Sequence, residues 1–370
     1  MTTTTGHPQK PASIRQEEKH TIASFFARAH LDNAERLGLC REQLISAANL
    51  SSSLLQETDA RILPQQLSDL FQAIWAEHDD EYLGFASSPT RVGVFSLISE
   101  RMIDCKTLGE ALHEAQRCYR LISDNITFEL KQQQDTVHLY ILLTEPEKDT
   151  YHMLTELLLM IWHRFPSWLV GDDIPLHEVC FPYARPAHAE EYRLLYPAPC
   201  RFQQTAARLS WPSDVLQWPI RRSKEELRRY LKQVPLPWFR KPHYPSNITD
   251  QVSRLLEASP QEHLITLDAI ATQLHMTSRT IRRKLRAEGS HFQQLKNNLR
   301  RDRAIHWLSQ EYISLAEVGR RSGYLEVTAF IRAFKGWTGV SPGDYRKKLR
   351  APHKVARHTL LANPQQNSTV

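Results

Sequence analysis

From Thr21 to about Asn49 apolar residues recur at helical spacing, with Ile22, Phe25, Phe26 and Ala29 on one stripe. Pro64 opens a second such segment, which carries Leu67, Leu70, Phe71, Ile74 and Trp75. Thr107-Leu108-Gly109-Glu110 has the form of a capping box and predicts a helix running through Tyr119. The period then shortens to two. Ile126, Phe128 and Leu130 alternate with polar residues, as do Val137, Leu139 and Ile141, on either side of a Gln132-Gln133-Gln134-Asp135 turn. That is the pattern of a β-hairpin. A strongly apolar helix at roughly Tyr151 to Phe165 follows. Short β-like segments, punctuated by Pro182, Pro186, Pro197, Pro199 and Pro212, then run to about Leu216. A helix from Glu225 to Leu231 closes a mixed α/β region.

Four prolines between Pro235 and Pro245 favour a stiff, extended connector that few contacts cross. Beyond it the pattern is helical to about Arg350. Thr266 caps a short helix with Ile270 and Leu274 on one face, and His275-Met276-Thr277 breaks it. The next helix buries Ile281 and Leu285 and sets Arg279, Arg282, Arg283 and Arg286 on its outer face, because residues three and four apart share a side. About 48 residues later the plan recurs. Ser314-Leu315-Ala316-Glu317 reads as a capping box, Val318 packs inward and Gly323 suits a tight turn. Phe330 and Phe334 of the following helix face in, leaving Val327, Thr328 and Arg332 outside. Phe292, Leu295, Leu299, Ala304 and Leu308 define one long helix between the two units. Any antiparallel helix pair with a glycine turn can imitate one helix-turn-helix. Two in tandem with a cationic second helix are a stronger sign of DNA binding.

Charge sharpens the division. Residues 249–350 hold 18 Lys and Arg against 10 Asp and Glu, a net of +8, so the rest of a +6 chain sums to −2. A basic module beside a near-neutral one suits a polyanionic partner for that module alone. The 370 residues suffice for two or three cores without disulfides or metals. Five cysteines (40, 105, 118, 180 and 200) form no C-x-x-C pair and read as incidental thiols of a reducing compartment. The densest apolar run, Leu157 to Trp162, is too short to span a bilayer, and the first residues do not form a secretory signal. A cytoplasmic protein with no membrane partner is expected.

At these residues the chain resembles the AraC/XylS family of bacterial transcription regulators. Met276 through Leu285 is similar to that family's first recognition helix. Ser322-Gly323-Tyr324, Ala329 through Lys335, Thr338-Gly339-Val340-Ser341-Pro342 and Tyr345-Arg346 are similar to its C-terminal signature. Leu325, Gly319 and Gly336 depart from the usual residues at their positions. Thr107 to Leu112, Phe181 to Pro186, Glu191-Tyr192 and Cys200-Arg201-Phe202 resemble the sensor domain of one branch of the family. The regulator after which the family is named has a β-barrel sensor. This region reads α/β, so sugar binding is not carried over.

Catalytic motifs fail in turn. His113-Glu114 is not completed by a second histidine, and neither a P-loop nor a G-x-S-x-G elbow occurs. Pro199-Cys200-Arg201 bears a faint likeness to the acceptor cysteine of DNA-repair methyltransferases but lacks the histidine that would activate the thiolate. The expected fold is α+β, with a mixed α/β N-terminal sensor domain and an all-α C-terminal domain of two helix-turn-helix units joined by a long helix. The expected layout is a disordered segment 1–18, an effector-binding and dimerisation domain 19–234, a Pro-rich linker 235–248, the DNA-binding domain 249–350 and a flexible tail 351–370.

The resulting reading is a non-enzymatic regulator, by resemblance an activator, with no cofactor and no metal. Its partners would be a double-stranded operator, a small-molecule effector, RNA polymerase and a second copy of itself. Arg279, Arg282, Arg283, Val327, Thr328 and Arg332 are the candidate base readers, and Thr280, Arg286, Arg300 and Lys335 the candidate phosphate contacts. The residues around Met153–Trp162, with Trp75, Trp168 and Trp211, could line an effector pocket. Two alternatives stand beside this reading: a DNA-repair enzyme using Cys200, and a dimeric DNA-binding protein that senses nothing.

Overall fold

The computed structural model describes residues 20–240, 248–259, 265–310 and 312–350. The segments expected to be disordered, 1–18 and 351–370, lie outside these residues. The N-terminal helices are α1 (Ser24–Arg36), α2 (Arg41–Ala47), α3 (Ser52–Leu55), α4 (Pro64–His78), α5 (Val94–Met102), α6 (Leu108–Ile122), α7 (Met153–Val170), α8 (Tyr192–Leu195), α9 (Lys224–Leu231) and α10 (Leu236–Phe239). Among them run β1 (Ile22–Ala23), β2 (Arg61–Ile62), β3 (Ile126–Gln133), β4 (Thr136–Leu143), β5 (Glu178–Cys180), β6 (Cys200–Arg201) and β7 (Ala207–Pro212). The C-terminal part contains α11 (Ile248–Ala258), α12 (Leu267–Gln273), α13 (Ser278–Ala287), α14 (Phe292–Ser309), α15 (Leu315–Arg321), α16 (Val327–Thr338) and α17 (Pro342–Arg350). The α+β division follows the change of hydrophobic period.

The hairpin lies where alternation places it. Phe128 stands opposite Ile141 and Leu130 opposite Leu139. The buried Ile126, Phe128, Val137, Leu139 and Ile141 supply the inner face. The turn is tighter than the four polar residues suggest: only Gln134 and Asp135 lie between the strands, with Gln134 at φ 52°. The sheet order is β3-β4-β7-β5-β6, antiparallel except for β5 and β6. Against it lies α7, mostly apolar and buried at every residue but Trp168, the polar Glu156, His163 and Arg164 included. It continues through Pro166 to Val170, beyond the expected end at Phe165.

Two expectations need correction. The helical stretch from Thr21 is preceded by a short strand, since Ile22 and Ala23 pair with Ile62 and Arg61. The supposed extended connector begins as a buried turn of helix, α10. Trp238 packs edge-on against Trp75 and Phe95, and Phe239 against Phe71 with ring centroids 5.0 Å apart. Burying three large side chains, Leu236 among them, outweighs the preference of the flanking prolines for extended backbone.

Nor are the two parts separate bodies. The first helix-turn-helix unit has its own cluster, in which Ile248, Val252 and Leu256 of α11 meet Leu267, Ile270, Ile281 and Leu285. The cluster of the second unit contains Ala304, Ile305, Leu308, Val318, Phe330, Phe334 and Tyr345, and is completed by Leu54 and Ala60 of the N-terminal domain. The expectation that few contacts cross the boundary is therefore wrong for the second unit. Nothing in the spacing of Leu54 and Ala60 distinguishes this contact from burial within their own domain.

Candidate nucleic-acid interface and sensor cavity

The Thr277 hydroxyl accepts from the Thr280 backbone N–H at 3.2 Å and so starts α13. Ile281 and Leu285 are buried, and the opposite face leaves Arg279, Arg282, Arg283, Lys284 and Arg286 exposed. Thr280 is half-buried, its hydroxyl 2.9 Å from that of Thr277, which ties it into the cap. A contribution that the periodicity did not single out comes from α11. The Glu288 carboxylate, just past α13, accepts from the backbone N–H groups of Ile248 and Thr249 at 3.0 and 2.8 Å. It thereby clamps the start of one helix to the end of another.

In the second unit Ser314 accepts from the Glu317 N–H at 3.2 Å, the first half of the expected capping box. The Glu317 carboxylate turns instead to Arg320 and Arg321. Gly323 takes φ +83° at the turn, and a Cβ on Gly319 would stand 3.2 Å from Phe330. Small residues there let α15 and α16 approach closely. Val327, Thr328, Arg332 and Lys335 of α16 are exposed, and Glu326 stands at the N-cap without a side-chain cap bond. Leu325, just before that cap, is 87% exposed. Arg300 differs from the other candidates: it is half-buried and its guanidinium lies 5.1 Å over the Tyr324 ring. The outer faces of α13 and α16 stay open although the N-terminal domain packs on the same module.

A cavity of about 50 Å³ lies in the N-terminal domain between α1, α4, α7 and the α8 region. Met153, Leu157 and Met160 line it, as the apolar stripe suggested, whereas Trp75, Trp168 and Trp211 do not. Its polar lining is His20, Thr21, His30, Glu156, Arg164 and Glu191. Glu156 accepts from Tyr192 and lies 2.7 Å from His188 Nε2, while burial raises its pKa against the opposing pull of His188. Arg164 donates to the carbonyls of Trp238, Arg240 (2.8 Å) and Leu194 (3.3 Å).

Two lining residues lead out of the cavity into the second unit. Arg61 donates to both carboxylate oxygens of Glu191 at 2.8 and 3.0 Å, and its Nε to the Thr21 hydroxyl at 2.7 Å. That hydroxyl donates onward to Asp302 of α14 at 2.6 Å. Lys348 pairs with Glu57, and Ser51 donates to the Lys348 carbonyl. Sequence reasoning did not find this cluster, whose bonded partners lie 40 to 297 residues apart. Glu191 and Tyr345 entered only as parts of family-like segments.

Cys200 is not set up as a nucleophile. Burial pushes its thiol up to about 12, the opposite of an activated thiolate. Among the described residues no helix is long and apolar enough to cross a membrane.

Residues 38–220 match the family described as the arabinose-binding domain of AraC transcription regulator, N-terminal, and residues 270–348 match a helix-turn-helix domain family. The ornithine utilization regulator of Pseudomonas aeruginosa is 25% identical over 323 residues, which cover 87% of this chain and 95% of that protein. The transcriptional regulator VirS of Mycobacterium tuberculosis is 31% identical over 117 residues, 31% of this chain and 34% of its own length. The crystal structure of the transcriptional regulator CdpR from Pseudomonas aeruginosa aligns with 91% of this chain and 100% of that chain at 20% identity, with a TM-score of 0.29.

Proposed function

The chain belongs to the AraC family of transcription regulators, and from that premise we propose how it reads DNA and responds to a small molecule. The observation that carries the reading is the pair of recognition helices, α13 and α16, each buried on one side and open on the other. Arg279, Arg282 and Arg283 read bases from α13, where a guanidinium can pair bidentately with guanine O6 and N7. Val327, Thr328 and Arg332 read from α16, the first two suiting a thymine methyl. Arg286 and Lys335 hold phosphates. Thr280 and Arg300 remain in the phosphate set, with roles that also brace the cap and the Tyr324 turn. The two helices enter successive major grooves about one turn apart.

The domain layout follows the same division, with residues 19–234 as sensor and 249–350 as reader. A small molecule in the α1/α7 cavity acts on the reader through Thr21, Glu191, Arg61 and Asp302. A ligand shifts an equilibrium only where it touches the two states differently; Thr21 and Glu191 line the cavity, Arg61 joins them, and Thr21 bonds onward to Asp302 of α14. Activation, pairing as a homodimer, contact with RNA polymerase and a cytoplasmic site are implied by family membership alone. So is the absence of enzymatic activity.

Salt dependence tests the DNA reading. Log K for a selected operator should fall linearly with log salt, and Lys335→Ala should reduce the slope by about 1 without altering sequence preference. A slope unchanged by both Lys335→Ala and Arg286→Ala would remove these side chains from the phosphate set.

A further inference from the structure

Two residues that line the α1/α7 cavity each carry a buried hydrogen-bond acceptor with no partner among the described residues. One is Oε2 of Glu156, a residue 3% exposed whose Oε1 serves Tyr192 and His188. The other is Nε2 of His30, a residue 4% exposed. The tautomer of His30 follows from its neighbour. Nδ1 lies 2.7 Å from the Phe26 carbonyl, which can only accept, so Nδ1 carries the proton and Nε2 is bare. Burial lowers the ring's pKa to about 4, so it stays neutral at physiological pH. A buried acceptor left unpaired costs on the order of 1–3 kcal/mol, and both belong to residues lining one cavity, whose other polar residues, His20, Thr21, Arg164 and Glu191, are bonded elsewhere. Ile22, Phe26, Leu67, Phe71, Leu157 and Met160 make up much of its wall.

We propose that this cavity binds a small primary alkylamine, its ammonium donating to Glu156 Oε2 and to the His30 side and its short chain lying against the apolar wall. Charge favours the amine over a neutral donor, because hydrogen bonds with an ionised partner are roughly twice as strong as those between neutral groups. Size and polarity disfavour a sugar. The cavity holds about 50 Å³, against ~150 Å³ for a site that takes benzene. A pyranose would also bring more hydroxyls than this lining can pair. The inference deepens the sensor reading above and rests on it only for the consequence at the operator.

The test uses the full-length protein with n-propylamine, 1-propanol and arabinose in calorimetric titrations at neutral pH. The amine should bind saturably, with propanol and arabinose at least roughly tenfold weaker. Glu156→Gln should weaken the amine by a similar factor. Leu157→Phe, which fills the cavity without touching either acceptor, should abolish binding and serves if the first variant does not fold. Equal affinity for propanol or arabinose, no saturable amine binding, or amine binding indifferent to the variants would each overturn the proposal. Operator binding is measured on the same samples. Its failure would count against the DNA reading, and failure of the amine alone against the ligand assignment.

Discussion

The Tyr345 hydroxyl in α17 donates to the Arg61 carbonyl at 2.8 Å and accepts from the Arg61 backbone N–H at 3.3 Å, joining residues 284 positions apart. Tyr345 is fully buried and Arg61 nearly so, so water cannot replace either bond cheaply. The last helix of the DNA-binding module is thereby fastened to the second strand of the sensor.

Tyr345→Phe keeps the ring that packs on Phe334 and strips only the hydroxyl. It leaves a buried N–H and carbonyl of Arg61 unpaired, at a cost of about 1–3 kcal/mol. Urea unfolding of the full chain should show a lower midpoint at nearly constant m-value. A loss below about 0.5 kcal/mol would mean that these bonds contribute little to stability.

A fragment beginning near Ser246 separates the two units. The cluster around Ile270 and Ile281 is self-contained, whereas that around Phe330 and Phe334 loses Leu54 and Ala60. Hydrogen exchange should find α12 and α13 as protected in the fragment as in the full chain, with α17 and the end of α14 protected less by roughly tenfold or more. Equal protection throughout would show that the module is complete without the sensor.

His30 and His163 are both buried, and desolvation lowers each to about 4 from an ordinary 6.5. Below pH 6.5 the unfolded chain binds protons at these sites that the folded chain refuses until about pH 4. Their contribution to stability is therefore complete above pH 6.5 and lost as pH falls through that window, each by up to about 1.4 kcal/mol per pH unit. Stability measured between pH 7 and 5 should fall with acidification, and His163→Gln should flatten the slope. A slope unaffected by that change would place the acid sensitivity elsewhere.

Periodicity made the hairpin, α4, α6, α7 and both helix-turn-helix units legible, because each buries one face or all of itself at a regular spacing. The exposed arginines of α13 were legible for the same reason, being what the buried Ile281 and Leu285 leave outside. The link between the modules was not. Arg61 and Asp302 are charged residues that a sequence pattern assigns to solvent, and only folding brings them to Thr21 and Glu191. The connector was misread because Leu236, Trp238 and Phe239 lie between prolines, and only packing against Phe71, Trp75 and Phe95 makes their burial pay. The cavity was half legible: α7 supplied Met153, Leu157 and Met160, but the tryptophans went into packing elsewhere.

Footprinting of the full chain on an operator selected from random DNA addresses the two-helix reading most directly. Two protected segments should appear on one face of the duplex, about 10 base pairs apart. Arg283→Ala should relax sequence preference in one segment, at ~1–3 kcal/mol on the preferred site, and Arg332→Ala in the other. A single protected segment, or both substitutions changing the same few base pairs, would contradict it.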